Sequence, residues 1–479
     1  MRGKPPQTRF LLKPPSQCRV SCDNTSKLRA LKLLLFGQAE LRAIPFIALS
    51  LGIAAGSPAL ASEPEAATLR SAFEAQFPKS EASAGALQLE RLAAPLGIEL
   101  APKDEAGPRP LEATPTNASG EAPVPAINGR ERRRPSAEEI AGYQRIGEAI
   151  FGFLDRELKN PAEKIGPPSR ELERYLEEHQ DAMVSIESVL LQDADVHWEM
   201  DVSRGYASPI PNLLGHMRLQ RLIVARALLE ARRGEAEGAL QTLEASWLLN
   251  QTLSSRPEEI SHLIVVAVAR LQVGALRKLD TPAYGWADRF RDGKLFSAYL
   301  AAFQNRIWSH PDVTDLTGEA GAFGRALRQI AEEFSSRDLC AWTPEKLREA
   351  WNRAVRDQFP ENDPLAEVVT PNLLESFARW RRFLVDAELT ALVLDARAER
   401  AASRRHAWPE KLLSVGTGVC PDGGWSYRPS GKGTARFAFE GRLVEEPSVA
   451  MRLPLSFTAG VPTAPPPRPT PRKTGATTR

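Results

Sequence analysis

The sequence predicts a mainly α-helical protein, built as an array or bundle of antiparallel helices with a small C-terminal β-hairpin. Apolar residues recur at helical spacing through most of residues 136–405. Short links containing Gly or Pro separate these helices, which places neighbouring helices antiparallel. After residue 405 the period changes to two, with aromatic residues alternating across a Gly-containing turn. We therefore predict a helical domain, 136–405, and a β-containing tail packed on it, 406–457.

The composition is that of an ordinary soluble globular protein, with 479 residues, 25% charged residues and 42% hydrophobic residues. A net charge of +2 offers no electrostatic case for binding nucleic acid or an anionic membrane surface, so neither is an expected partner. The 39 prolines concentrate in segments that resemble linkers and tails. We predict disorder in the linker 102–135 and in the C-terminal segment 458–479.

Residues 1–61 have the features of a signal peptide with a long basic n-region. An apolar run, Ile44–Ala55, is followed by small residues over Ser57–Ala61. The run is shorter than the roughly 20 residues that a membrane-spanning helix needs, so cleavage is predicted between Ala61 and Ser62. The mature protein is then expected in the periplasm or outside the cell. Contact with a membrane is expected only through the uncleaved signal of the precursor.

Two cysteines, Cys340 and Cys420, follow the predicted cleavage site. In an oxidising compartment they would form one disulfide that closes a loop of about 80 residues and stabilises the fold by about 2–4 kcal/mol. Two unrelated buried thiols are the alternative, and the sequence leaves both open. No C-x-x-C or nearby Cys/His spacing accompanies either residue, so no metal is predicted there.

Local signals mark several helix ends. In the segment 62–101 two short amphipathic helices are predicted, the first carrying Phe73 and Phe77 and the second capped by Gly97. The capping-box spacing of Ser136 and Glu139 predicts the first helix of the helical domain. Regular apolar spacing predicts a long last helix from about residue 371 to residue 405.

The stretch Pro211–Leu279 is the packing centre of the helical domain and is predicted to form three consecutive helices. Arg232–Gly234 joins the first to the second, and Ser255–Pro257 joins the second to the third. Pro257 suits the first turn of the third helix because proline lacks the amide hydrogen that this turn leaves unused.

One hairpin within this stretch, Ala227–Leu249, resembles a tetratricopeptide repeat. The turn glycine Gly234 and the small residues Ala227 and Ala239 carry the resemblance, which implies two closely packed antiparallel helices. Three features depart from the family pattern. Ile223 stands where the family often has Trp, no Pro ends the second helix at the expected place, and no second copy follows at a 34-residue period.

The segment Asp193–Asp201 alternates polar and apolar residues, which predicts an extended strand with its polar groups on one face. Carboxylates and an imidazole are common ligands of divalent cations. The candidate metal ligands are Asp193, Asp195, His197, Glu199 and Asp201. A half-buried strand with a solvated polar edge is the alternative, because one strand alone rarely surrounds a metal ion. No cofactor is predicted.

The first helix of the central stretch carries three arginines and a histidine of possible functional interest. Arg218, Arg221 and Arg226 could clamp an anion, but we expect ion pairs or solvated faces. His216, and His262 at the start of the third helix, are expected in satisfied structural positions.

The tail resembles the C-terminal part of type II secretion pseudopilins. The residues that carry this resemblance are the preceding long helix, the sequence Trp408–Leu412, the turn at Pro421–Gly423, and aromatic strands at Trp425/Tyr427 and Phe437/Phe439. The pilin N-terminal methylation motif is absent. The resemblance therefore implies a related structural module and does not imply membership of a pilus.

No catalytic motif of the common hydrolase, kinase, nucleotide-binding or metalloprotease classes is visible. We therefore predict an exported structural or interaction protein of the bacterial cell envelope, with an envelope protein as its partner. One alternative is a metal-dependent or carboxylate-based enzyme that uses Asp193–Asp201. The other alternative is a secretion-associated subunit, which the tail suggests.

Overall fold

Helices make up most of the structure, and a small antiparallel sheet lies near the C-terminus, which confirms the predicted fold class. The computed structural model describes residues 71–102, 132–192, 195–291, 343–356, 364–412, 424–430, 433–441 and 453–460, together with helical residues 295, 298–299, 301–302, 329 and 332. The helices are α1 Ala84–Ala93, α2 Ala137–Lys159, α3 Arg170–Glu178, α4 Gln180–Gln192, α5 Leu213–Arg232, α6 Ala236–Ser254, α7 Glu259–Leu276, α8 Trp286–Arg291, α9 Pro344–Arg356 and α10 Pro364–Ala402. The strands are β1 Trp425–Ser430, β2 Thr434–Phe439 and β3 Ser456–Ala459.

The predicted caps lie where the sequence places them. The hydroxyl of Ser136 accepts a hydrogen bond from the amide of Glu139 at 3.2 Å, and the Glu139 carboxylate accepts one from the amide of Ser136 at 2.6 Å. A short 3₁₀ turn after α1 ends at Gly97, which has a φ of +64°. A Cβ on Gly97 would lie 2.0 Å from the carbonyl oxygen of Glu139, so both backbone conformation and space require glycine there.

Helix α7 lies at the centre of the helical packing, in contact with α2, α5, α6 and α10. It is long and apolar enough to cross a membrane, with a mean hydropathy of 1.5, but 72% of this window is buried within the protein. Its apolar character is therefore that of a core helix.

The links between the three central helices agree with the prediction except at Pro257. Gly234 has a φ of +85° in the turn between α5 and α6. Helix α7 begins at Glu259 with Glu258 as its N-cap, so Pro257 precedes the helix instead of lying in its first turn. The long helix α10 starts and ends earlier than predicted, at Pro364 and Ala402.

The predicted C-terminal hairpin is present as β1 and β2. They pair antiparallel with Trp425 opposite Phe439 and Tyr427 opposite Phe437, which places aromatic side chains across from one another. A third strand, β3, adds to β2 and was not predicted. Thr458 and Ala459 lie in this strand, beyond the predicted end of the tail at residue 457.

One face of this sheet packs against α10. The buried residues of this second core are Val385, Leu389, Leu392, Val393 and Ala396 from α10, Trp408 and Leu412 after it, and Trp425, Ala435, Phe437, Phe457 and Ala459 from the sheet. The tail is therefore packed on the helices through an apolar interface, as the tail's alternating pattern indicates.

A buried ion-pair cluster joins α7 to α10 around Asp386. The Asp386 carboxylate lies 3.4 Å from Nε of Arg270, 3.4 Å from Nε of Arg382 and 3.5 Å from Nη2 of Arg277. Arg277 also donates to the hydroxyl of Thr390 at 2.8 Å. All five residues are buried. Burial lowers the pKa of Arg277 to about 10, and the Asp386 carboxylate opposes that shift.

A second buried ion pair fastens β3 to the helices. Nη2 of Arg397 on α10 lies 2.7 Å from Oε1 of Glu163, and both side chains are almost fully buried. Glu163 also accepts a hydrogen bond from the amide of Gly460, and its own amide donates to the carbonyl of Thr458 at 3.1 Å. Arg397 donates further to the carbonyl oxygens of two residues at the end of α7. The Glu163–Arg397 pair therefore connects the α2–α3 loop, α7, α10 and β3.

Candidate functional site

The described part of the acidic segment, Asp195–Asp201, is extended and pairs with the residues before α1. The amide and carbonyl of Met200 exchange hydrogen bonds with those of Ser80, both at 2.9 Å. The carbonyl of His197 accepts a hydrogen bond from the amide of Ser83 at 3.0 Å. These contacts confirm the extended conformation, and they show that the segment fastens the N-terminal helices to the helical domain.

The described polar side chains of this segment form separate contacts and do not converge on one point. Asp195 lies 3.3 Å from Nδ1 of His197, and Glu199 pairs with Arg132 at 2.9 Å. Asp201 pairs with Lys79 at 2.8 Å and accepts a hydrogen bond from Ser203 at 2.6 Å. Among the described residues, no group of three or more His, Cys, Asp and Glu side chains lies close enough to hold a metal ion.

Several other predicted site residues lie outside the residues that the structure describes. They are Asp193 of the acidic segment, the cleavage-site residues Ala61 and Ser62, and the cysteines Cys340 and Cys420. The metal, disulfide and cleavage hypotheses that depend on them stay predictions.

The apolar side of the acidic segment covers a buried cluster that we call the Arg256 cluster, and Arg256 is its centre. Its members are Trp198, His216, Arg256, Glu258 and His262. The guanidinium of Arg256 makes two hydrogen bonds to the Glu258 carboxylate, at 2.9 and 2.7 Å. It also donates to the backbone carbonyls of residues 199 and 209, at 3.1 and 2.8 Å. Arg256 therefore ties the acidic segment to the α6–α7 link.

Two buried histidines lie beside this arginine. His216 packs edge-on against Trp198, with ring centroids 4.7 Å apart, and Nε2 of His262 contacts the backbone carbonyl of Arg256 at 2.8 Å. Within the described part of the chain, neither ring nitrogen of His216 has a hydrogen-bond partner, and Nδ1 of His262 has none either. His216 therefore departs from the expected satisfied position, because a buried polar group without a partner costs about 1–3 kcal/mol.

Burial favours the neutral form of both imidazoles. Burial lowers the pKa of His216 to about 3, and the positive charge of Arg256 acts in the same direction. Burial also lowers the pKa of His262. The Glu258 carboxylate already neutralises Arg256, so a proton added to His216 would have no counter-charge within the Arg256 cluster. Acid therefore opposes folding at this site.

We expect the His216→Phe variant to remove part of the acid sensitivity of the fold. The unfolded chain binds a proton at His216 below pH 6.5 and the folded chain does not. Stability is therefore complete above pH 6.5 and falls by up to about 1.4 kcal/mol per pH unit below it. Urea unfolding of the wild type and the variant between pH 7 and pH 5 measures this difference in slope.

The His179→Phe variant is the control, because it replaces a half-buried imidazole outside the Arg256 cluster that stacks on Tyr175. An unchanged slope in His216→Phe, or an equal change in His179→Phe, would contradict the assignment of the acid sensitivity to His216.

A second candidate site is a surface on α2 and α5 that we call the arginine–aromatic surface, formed by Tyr143, Phe151, Arg218 and Arg221. The guanidinium carbon of Arg218 lies 5.6 Å from the ring centre of Tyr143, and that of Arg221 lies 5.5 Å from the ring centre of Phe151. Both distances are in the range of cation–π contacts. Phe151 is 38% exposed, and Arg218 and Arg221 are half-buried. Tyr143 is buried beneath Arg218. The surface therefore presents one aromatic ring beside two cations.

Arg218, Arg221 and Arg226 on α5 do not form a common anion clamp. Arg218 and Arg221 lie over aromatic rings, whereas Arg226 pairs with Glu187 and Glu230, at 3.2 and 2.8 Å. Arg226 therefore forms the expected ion pairs, and Arg218 and Arg221 take part in the arginine–aromatic surface.

Comparison of the chain with protein-family models, with curated proteins and with solved structures gives no match. Sequence reasoning missed the Arg256 cluster because its members come from three separate segments. The one available signal was the alternation of the acidic segment, which places Trp198 on the apolar side that faces the interior.

Proposed function

We propose that the protein is an exported structural or interaction protein of the bacterial cell envelope and that it binds a protein partner through the arginine–aromatic surface. Export is proposed from the signal-like pattern of residues 1–61. The observation that carries the interaction role is the pairing of Arg218 with Tyr143 and of Arg221 with Phe151 on adjacent helices.

The chemistry of this surface suits a protein interface. Arginine and aromatic residues are enriched at the centres of protein–protein interfaces, where they contribute most of the binding energy. Arg221 is half-buried, and this burial lowers the pKa of its guanidinium, so part of its hydration is already lost. A partner that covers it therefore has less hydration to displace than at an extended surface arginine.

The surface is also held in place before any partner binds. The hydroxyl of Tyr143 donates a hydrogen bond to the backbone carbonyl of Arg218 at 3.3 Å, which connects α2 to α5 next to the stacked rings. Side chains that are already ordered lose less conformational entropy on binding. The resemblance of the α5–α6 hairpin to a tetratricopeptide repeat supports the same role.

A secretion-associated subunit is the second candidate. The observation that favours it is the long helix α10 with an antiparallel hairpin packed against it, which is the combination that prompted the resemblance to pseudopilins. That role predicts co-purification with secretion components of the envelope.

The proposed interaction role predicts that the double variant Phe151→Ser/Arg221→Ala loses its partner. We expect the wild-type protein to capture a defined envelope protein in a native pull-down, and the double variant to capture at least tenfold less of it. Mass spectrometry identifies the captured protein, and the tagged partner should recover this chain in the reverse experiment.

The matched control is Tyr284→Ser, which removes another exposed aromatic side chain at the turn before α8. It should bind the partner as the wild type does. Equal capture by the double variant and the wild type, with both correctly folded, would rule out the arginine–aromatic surface as the binding site.

A further inference from the structure

Two buried carboxyl groups meet between α4, α5 and α6. Glu187 belongs to α4, Glu230 to α5, and both residues are only 9% exposed. Between them lie the guanidinium of Arg226 on α5 and the hydroxyl of Thr242 on α6. Two carboxylates facing one cation would leave a negative charge in a buried place, which is costly.

The distances show that Arg226 and Thr242 favour Glu230. Oε1 of Glu230 lies 2.8 Å from Nε of Arg226, and its Oε2 lies 2.8 Å from the hydroxyl of Thr242. Glu187 lies 3.2 Å from Nη1 of Arg226 and 3.2 Å from the Thr242 hydroxyl. Nη1 of Arg226 makes no hydrogen bond among the described residues, so its contact with Glu187 is electrostatic only.

The hydroxyl of Thr242 has one hydrogen and can donate it to one acceptor. The shorter contact assigns that hydrogen to Glu230. The contact between Thr242 and Glu187 is then a hydrogen bond only if Glu187 is the donor, which requires a protonated carboxyl group.

We propose that Glu187 binds a proton in the folded protein and donates it in a hydrogen bond to Thr242, which in turn donates to the Glu230 carboxylate. This arrangement pairs one negative charge with the single positive charge of Arg226. The hydroxyl hydrogens of Glu187 and Thr242 then each have an acceptor, and the buried cluster carries no net charge.

The electrostatics of the site agree with this assignment. Burial raises the pKa of Glu187 to about 7, the charge of Glu230 adds to the shift, and Arg226 and the Thr242 hydroxyl oppose it. Among the described residues, the charged groups acting on Glu187 are Arg226 and Glu230 of α5. The helices α1 and α6, which also pack against α4, supply no charge to it in that part of the chain.

The proton makes the contact of α4 with α5 and α6 dependent on pH. The folded pKa lies above the usual value of 4.5, so the stabilisation is complete below pH 4.5 and is lost as pH rises through about 7. Once the proton leaves, Thr242 cannot donate to both carboxylates. Helix α4, with α1 packed on it, is then held less firmly against α6.

The Glu187→Gln variant tests this proposal, because the amide of glutamine has the shape of a protonated carboxyl group and can donate to Thr242 but cannot titrate. The unfolding equilibrium constant of the wild type is expected to rise relative to that of the variant by up to about tenfold per pH unit between pH 5 and 7. Urea unfolding at pH 5, 6, 7 and 8 measures this ratio. The protection of the α4 amides, expressed relative to the intrinsic exchange rate at each pH, should fall as pH rises in the wild type and not in the variant.

The control is Glu178→Gln at the exposed end of α3, which should follow the wild type at each pH. A protonated carboxyl band at pH 6 in the infrared spectrum of the wild type, absent from Glu187→Gln, would support the proposal independently of folding stability. The proposal is overturned if the variant is destabilised equally at all pH values, or if no such band distinguishes the two proteins.

Discussion

Replacing Asp386 with asparagine is expected to lower the free energy of unfolding by about 3–5 kcal/mol at neutral pH. The amide keeps the size of the carboxyl group but removes the charge that lies within 3.5 Å of three buried guanidinium groups. Removing one partner of a buried ion pair leaves charge in a medium that cannot solvate it. Urea unfolding followed by circular dichroism measures the change.

The control for this prediction is Glu399→Gln, on the exposed side of the same helix, which should change the free energy of unfolding by less than about 0.5 kcal/mol. If Asp386→Asn also changed the free energy of unfolding by less than about 1 kcal/mol, Asp386 would not be the main counter-charge of the three arginines.

The Glu163→Gln variant is expected to cost a similar amount, about 3–5 kcal/mol, and to loosen β3. Glu163 holds Arg397 and the amide of Gly460 at the end of β3, so losing its charge weakens both contacts. Urea unfolding measures the stability. Hydrogen exchange of the amide of Thr458, which donates to the carbonyl of Pro161 at 2.8 Å, reports on the attachment of β3.

A double-mutant cycle separates the ion pair from other effects of these substitutions. Glu163→Leu/Arg397→Met replaces both buried charges by apolar groups, and it should be less destabilising than the sum of the two single variants. Additive single effects would show that Glu163 and Arg397 do not stabilise each other and that β3 is held by its backbone hydrogen bonds.

Local features of this protein were predictable because their cause lies within a few residues. The Ser136–Glu139 capping box and the Gly97 cap satisfy amides of their own helix ends. The Trp425/Tyr427 and Phe437/Phe439 alternation specifies its hairpin register, since one face of the strands is buried on α10. Pro257 is an error of the same local kind, because a proline before a helix and one in its first turn look alike in sequence.

The third strand was not predictable from its own residues. Ser456–Ala459 is a four-residue strand, too short for a clear alternation of two. Its partners are β2 and residues 161–163 of the α2–α3 loop, almost 300 positions earlier in the chain. Such pairing is decided by which edge the folded protein leaves open, and a sequence pattern does not contain that information.

The sequence by itself determined the helical class, the order of the elements and most of their ends, because periodicity and capping act within one element. Only the tertiary structure decided which polar groups lose water. His216 is buried beside Arg256 with no hydrogen-bond partner among the described residues. Glu187 and Glu230 both contact Thr242, and Asp386 lies against three arginines. The physical reason is that hydration, charge and hydrogen bonding at these positions depend on neighbours that are distant in sequence.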